Sequence, residues 1–167
     1  KAKYEKFCNY IYDNRNDETL FGHEFAEWDE KLIRDYVKKL LGRIVFLHFL
    51  QKKGWLGVPV DKQWGEGDTQ FMRNLFKAST QKQKDNYLDL VLEPLFAGAL
   101  NTQRPNDIFD LNVEGLRTTR IPYLNGGLFE RDALDEPKST FPASYFEDLF
   151  EFFYQYNFTI DENNPND

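Results

Sequence analysis

Residues 28–57 read WDEKLIRDYVKKLLGRIVFLHFLQKKGWLG, and their spacing decides the fold. Leu32, Ile33, Tyr36, Val37, Leu40, Leu41 and Ile44 recur at helical intervals and form one apolar face, while Lys31, Arg34, Asp35, Lys38, Lys39 and Arg43 fall on the other. From Ile44 to Leu50 the polar face disappears, which predicts burial on all sides. Asp29 and Glu30 suit the positive end of a helix dipole, and Lys52 and Lys53 the negative end. Gly54 supplies the left-handed residue on which many helices close. A helix over Asp29 to Lys53 would be roughly 37 Å long, and Leu40 and Ile44 would lie at its buried centre.

Upstream, Tyr4, Phe7, Cys8 and Ile11 keep helical spacing within Tyr4 to Tyr12. The polar run from Asp13 to Asp17 then breaks the pattern, because such side chains bond to nearby backbone instead. Downstream, Gly57, Pro59, Gly65 and Gly67 mark a loop that carries Trp55 and Trp64. Asp68 is placed to cap a helix bearing Phe71, Met72, Leu75 and Phe76. Ser79 or Thr80 opens another, with Tyr87, Leu88, Val91, Leu92, Leu95 and Phe96 turned inward and Pro94 expected to kink or split it. Residues 101–142 hold four of the seven prolines and read as a long loop, with at most a short hairpin around Ile121 to Phe129. A last helix runs from about Ala143 to Tyr156, with Phe146, Leu149, Phe150 and Phe153 on one face. The fold class is mainly α: one irregular multi-helix domain, residues 1–167, around a single long central helix.

Composition narrows the function. Of the 167 residues, 41% are apolar, 17% aromatic and 29% charged, a globular balance. The net charge of −7 argues against the whole chain being a free-standing nucleic-acid binder but leaves room for a basic stripe on one face. Cys8 is the sole cysteine, so an internal disulfide or a Cys-rich zinc site is ruled out and a reducing cytoplasm is the default location. The most apolar run, Ile44 to Leu50, is far short of the roughly 20 residues of a membrane span.

Candidate chemistry is sparse. His23 and His48 have no partners at metal-ligand spacing, and His48 reads as a satisfied core histidine. Asp29-Glu30-Lys31 has the look of a magnesium nuclease triplet, yet that chemistry needs a strand and a second acid, and an acidic first helical turn already accounts for it. Asp161 to Asp167 lacks the glycine that a calcium loop requires at its sixth position. Asn157-Phe158-Thr159 is a chance-level glycosylation tripeptide. Asn125-Gly126-Gly127 lacks the pattern of a phosphate loop and reads as a tight turn. Neither a methyltransferase's Gly-rich loop nor its Asn-Pro-Pro-Tyr-type tetrapeptide is present. The site residues are therefore non-catalytic, with no cofactor or metal ligand among them. Lys31, Arg34 and Lys38 share a helix face that could meet DNA phosphates, although a solvated face is the simpler reading. Phe152, Tyr154, Tyr156 and Phe158 lie off the core face of the last helix and could dock a neighbouring domain, unless the 101–142 loop folds over them.

The succession LLGRIVFLHFLQKKGWLG, IPYLNGGLFE and YFEDLFEFFYQYNFTIDENNP, from about Phe25 onward, resembles the region ahead of the methyltransferase domain in type IIG restriction-modification enzymes. These bacterial enzymes join an endonuclease to an adenine-specific DNA methyltransferase, and related phage-defence methyltransferases share the arrangement. The resemblance implies a helical connector whose partners are the methyltransferase and nuclease domains of one polypeptide, and DNA through that parent. It implies that residues 159–167 begin a linker to the methyltransferase domain. It also implies S-adenosylmethionine, and possible magnesium, as cofactors of the parent and not of this piece. The absence of an initiator Met and the polar C-terminal end fit a piece of a longer protein. The alternative is a stand-alone helical module that binds a protein partner through its aromatic surface.

Overall fold

The computed structural model describes residues 1–163, with side chains as far as Tyr156. The fold is mainly helical. Helix α1 spans Ala2–Asn14, α2 Glu30–Lys52, α3 Phe71–Ala78, α4 Gln81–Asp85 and α5 Ala143–Asn163. A two-stranded antiparallel ladder pairs β1, Ile108–Phe109, with β2, Thr119–Arg120.

Helix α2 lies within one residue of its predicted ends. The Asp29 carboxylate accepts the Leu32 N–H at 2.9 Å, so Asp29 is the N-cap of α2. At the other end the N–H groups of Gly54 and Trp55 donate to the carbonyls of Gln51 and Leu50 at 2.9 and 3.0 Å, the paired bonds of a Schellman closure. Gly54 has φ of +74°, and a Cβ there would collide with the Gly65 carbonyl, so glycine is doubly required. Ile33, Tyr36, Val37, Leu40, Ile44, Leu47 and Leu50 are all buried.

The polar and apolar faces of α2 are not as the pattern predicts. Arg43, assigned to the solvent face, is 2% exposed, whereas Leu32 is 37% exposed. The run from Ile44 to Leu50 is not buried all round, since Val45, Phe46 and Phe49 face outward. The neighbours of α2 cover only one flank of its second half.

The core is built largely from aromatic rings. Phe7 of α1 meets Phe141 at 4.9 Å, Tyr145 at 5.5 Å and Phe146 at 5.6 Å, and Phe21 joins Phe25 at 4.9 Å. A second group, Phe76, Tyr87, Phe146 and Phe150, shares Phe146 with the first. Offset and edge-on contacts of this kind add to the burial of each ring. Burial raises the phenol pKa of Tyr36 and of Tyr87 well above the ordinary value.

Thr80 and Gln83 form the capping box that opens α4. Beyond it the helix, which Pro94 is expected to kink or split, widens into π-type turns over Leu88–Leu92 and Pro94–Leu100. Glu93 falls between them and Pro94, which has no N–H, opens the second, and the inward side chains foreseen from Tyr87 to Phe96 are all buried. Helix α3 starts at Phe71 with Gln70 at its N-cap and no side-chain cap, so Asp68 is not the expected cap; it accepts instead from the Gln70 N–H, two residues on, and from the Asn74 side chain at 2.8 Å each.

Residues 101–142 do not hold the expected hairpin at Ile121 to Phe129. The ladder falls earlier in the chain, and neither Gly126 nor Gly127 has positive φ, so Asn125-Gly126-Gly127 makes a bend, not a hairpin turn. The long segment is nevertheless anchored. Backbone bridges tie Arg120 to Val58 and Ser139 to Phe21, and the buried Tyr36 hydroxyl donates to Ser139 Oγ at 2.8 Å. Helix α5 continues to Asn163, beyond the predicted end at Tyr156, so its last turns include the first residues of the stretch read as linker.

Candidate docking and nucleic-acid surfaces

Helix α5 turns Phe146, Leu149 and Phe150 into the core and leaves Phe153 half-buried. At about 100° per residue, Phe152 and Tyr156 then lie to one side of that core face as an i,i+4 pair. Their rings stack at 6.2 Å with 19° between planes, and they are 47% and 53% exposed. Lys3 Nζ lies 5.7 Å from the Phe152 ring. Tyr154 belongs to a different surface. It is half-buried under the Arg73 guanidinium at 4.2 Å, and Arg73 is in turn held by Glu151 at 2.6 Å. Three of the four docking candidates are thus divided between two sides of α5. The side chain of Phe158 lies outside the described residues, as do those of the Asn157 to Thr159 tripeptide and of Asp161 to Asp167.

The basic face of α2 is partly neutralised within the helix. Lys31 pairs with Asp35 at 2.8 Å, and Arg34 with Glu30 at 3.6 Å. Lys38 is exposed one turn further on. These exposed pairs are weak, so phosphates could displace the carboxylates. Arg34 also lines a cleft of about 520 Å³ between α1 and α2, with Tyr4, Cys8, Tyr12 and Ile33. Burial raises the Cys8 thiol pKa, which keeps it a poor nucleophile.

His48 is a core histidine. It is 6% exposed, its Nδ1 bonds to the Ile44 carbonyl at 2.9 Å, and its ring sits 4.5 Å from that of Phe153. Burial lowers its pKa, so the ring is neutral at pH 7. Among the described residues no group of three or more His, Cys, Asp or Glu side chains is arranged to hold a metal ion. No helix among them is long and apolar enough to cross a membrane.

Two features were not foreseen from the sequence. The first is a buried charge network beneath residues 128–135. Arg43 donates to Asp135 at 3.0 Å and to the carbonyls of Leu128 and Glu130 at 2.8 and 3.0 Å, while Lys39 reaches Asp132 at 2.8 Å and Asp135 at 3.0 Å. Burial acts to raise the Asp135 pKa, but the Asp132 N–H, Arg43 and Lys39 outweigh it and hold the carboxyl below its usual range. Glu93 borders the same network. Burial first, and then the Asp135 charge, push its pKa up to about 7. An arginine just before an apolar run and the Asp132-x-x-Asp135 spacing are the only sequence signals, and neither names the other.

The second feature is an aromatic cradle of about 330 Å³ lined by Trp55, Trp64, Pro122, Tyr123, Leu124 and Asp107. Arg120 lies 4.3 Å over Trp64. Asn106 and Asp107 have φ of 56° and 60°, two successive left-handed non-glycine residues at its edge.

No family profile matches the chain, and no solved structure matches it. One curated protein is similar: a "putative type II restriction enzyme and methyltransferase" of Methanocaldococcus jannaschii, 34% identical over 113 residues. The match covers 62% of this chain and 8% of that protein, so the chain spans under a tenth of the relative's length. Over those 113 residues the chain is related in sequence to a restriction-modification polypeptide.

Proposed function

We propose that this chain is a helical connector domain of a restriction-modification polypeptide of the type IIG kind, which holds a methyltransferase domain, and a nuclease domain where one exists, in a working arrangement. The parent would transfer a methyl group from S-adenosylmethionine to the exocyclic amino group of adenine in DNA, and a magnesium-dependent nuclease would cut DNA. The observation that carries this reading is the 113-residue likeness to a restriction enzyme and methyltransferase. The open Phe152–Tyr156 stack supports it, because an aromatic pair held in water on an otherwise core-packed helix suits a neighbouring domain.

The test mixes the 167-residue chain with the separately expressed remainder of its parent. Association is expected, with at least a tenfold loss for Phe152→Ser/Tyr156→Ser. Equal binding by wild type and variant removes the docking role. Calorimetry should find no S-adenosylmethionine binding to the 167-residue chain alone, and micromolar binding would mean that it carries a cofactor site. For the Lys31, Arg34 and Lys38 face, triple replacement by Ala in the parent should weaken binding to all DNA sequences alike and flatten the salt slope. Unchanged affinity and slope leave a solvated helix face.

A further inference from the structure

We propose that the outer face of the second half of α2 seats an amphipathic helix from elsewhere in the same polypeptide, one whose apolar seam is flanked by carboxylates. This rests on the reading of the chain as one domain of a longer restriction-modification protein.

Lys38, Gly42, Phe46, Phe49 and Lys53 follow one another at intervals of four, four, three and four residues, so they form a single stripe along the helix. Phe49 is 61% exposed and Phe46 37%, with Val45 beside them also at 37%. Phe49 is the most exposed large apolar side chain among the described residues. It lies next to His48, whose ring packs on Phe153 of α5.

Gly42 sits within this stripe. Glycine weakens a helix interior relative to alanine, and a side chain here would meet nothing within 4 Å, so no packing inside the chain requires it. Its φ is not positive either. What glycine provides at an exposed mid-helix position is a notch, where a second backbone can come closer than side chains elsewhere permit.

The charges select the occupant. Lys38 and Lys53 mark the two ends of a span of roughly 22 Å, about four helical turns. A second copy of α2 laid antiparallel would set Lys38 against Lys53, and a parallel copy would set each lysine against itself, so both arrangements repel. DNA along this stretch would meet Lys38 and Lys53 with exposed phenylalanines between them, while Lys31 and Arg34, beyond the stripe, already pair with Asp35 and Glu30. A helix with carboxylates at both ends of an apolar seam satisfies all five positions. Its source in the same polypeptide fits the length of the relative, of which this chain spans 8%, and tethering raises the effective concentration of such a partner.

Hydroxyl-radical footprinting of the full-length polypeptide against the 167-residue chain tests this. Phe46 and Phe49 are expected to oxidise at least fivefold more slowly in the full-length protein. Gly42→Leu should leave the unfolding of the 167-residue chain unchanged or strengthened, yet restore fast oxidation in the full-length protein by filling the notch. Lys38→Glu/Lys53→Glu should do the same. Equal oxidation in both proteins overturns the inference. If Phe152 and Tyr156 are protected while Phe49 stays open, this inference fails alone; if all four stay open, the connector reading fails with it. Protection that rises with protein concentration assigns the face to a second copy instead, and protection that survives Gly42→Leu rules out a closely packed helix.

Discussion

Helix α2 and the segment from residue 101 to 142 are both central to the fold, yet they are held in place by different means. Helix α2 carries its own instructions: periodic apolar residues, an aspartate cap at one end and a glycine closure at the other. Residues 101–142 contain little regular structure and are positioned by contacts with distant parts of the chain. Val58 pairs with Arg120, Phe21 with Ser139, Tyr36 with Ser139, and Arg43 with Asp135. Local elements are therefore specified by neighbours in sequence, and the covering segment by where those elements place their side chains.

Leu40→Ala gives the most direct way to break this comparison. Leu40 is 4% exposed at the centre of α2, and its truncation should cost roughly 2–5 kcal/mol of global stability. Denaturant titration checks it, and a loss under about 0.5 kcal/mol would place the residue at the surface. Arg43→Ala should act on the covering segment first. It leaves Asp135 buried with only Lys39 as a cationic partner, a loss of about 3 kcal/mol, near the lower end of the range for breaking a buried pair. Amide exchange should accelerate over residues 128–135 before it does so in α2. Uniform acceleration would show that the two regions unfold as one.

Two glycines sharpen the comparison. Gly54→Ala should cost roughly 1–3 kcal/mol, because its positive φ and the Gly65 carbonyl both exclude a side chain. Gly126→Ala should be neutral, or stabilising by about 0.4–1 kcal/mol, since its φ is not positive and a Cβ meets nothing within 4 Å. A large loss at Gly126 would restore the tight turn that the sequence suggests.

A pH dependence separates two buried titratable groups. The Glu93 pKa is raised to about 7 in the folded protein against 4.5 for the ordinary group. The folded state therefore holds this proton more tightly, and Glu93 makes stability rise as pH falls from about 7 toward 4.5. His48 has the opposite sign, because its lowered pKa makes stability fall as pH drops below its ordinary value of 6.5. Comparing wild type with Glu93→Gln isolates the first. The variant should be more stable by about 1–2 kcal/mol at pH 8, and the difference should vanish below about pH 4. An equal difference at both pH values would assign the effect to packing.

The sequence by itself determined most of the helices and of their buried faces, together with the caps at Asp29 and Gly54, and it narrowed the α4 cap to Ser79 or Thr80. Spacing, caps and breakers act within one or two turns, so they are legible without the rest of the molecule. It also made Phe152 and Tyr156 stand out, because aromatic residues on a second side of a helix are visible as a pattern. Only the tertiary structure decided which flank of α2 is covered. That left Phe49 in water and drew Arg43 inside, where Asp135, 92 residues away, supplies the counter-charge. Likewise it placed the ladder at Ile108–Phe109 and Thr119–Arg120 and separated Tyr154 from Tyr156. The physical reason is common to all of these. Whether a charged or aromatic side chain is buried depends on the partner that arrives across the core, and nothing in its own stretch of sequence identifies that partner.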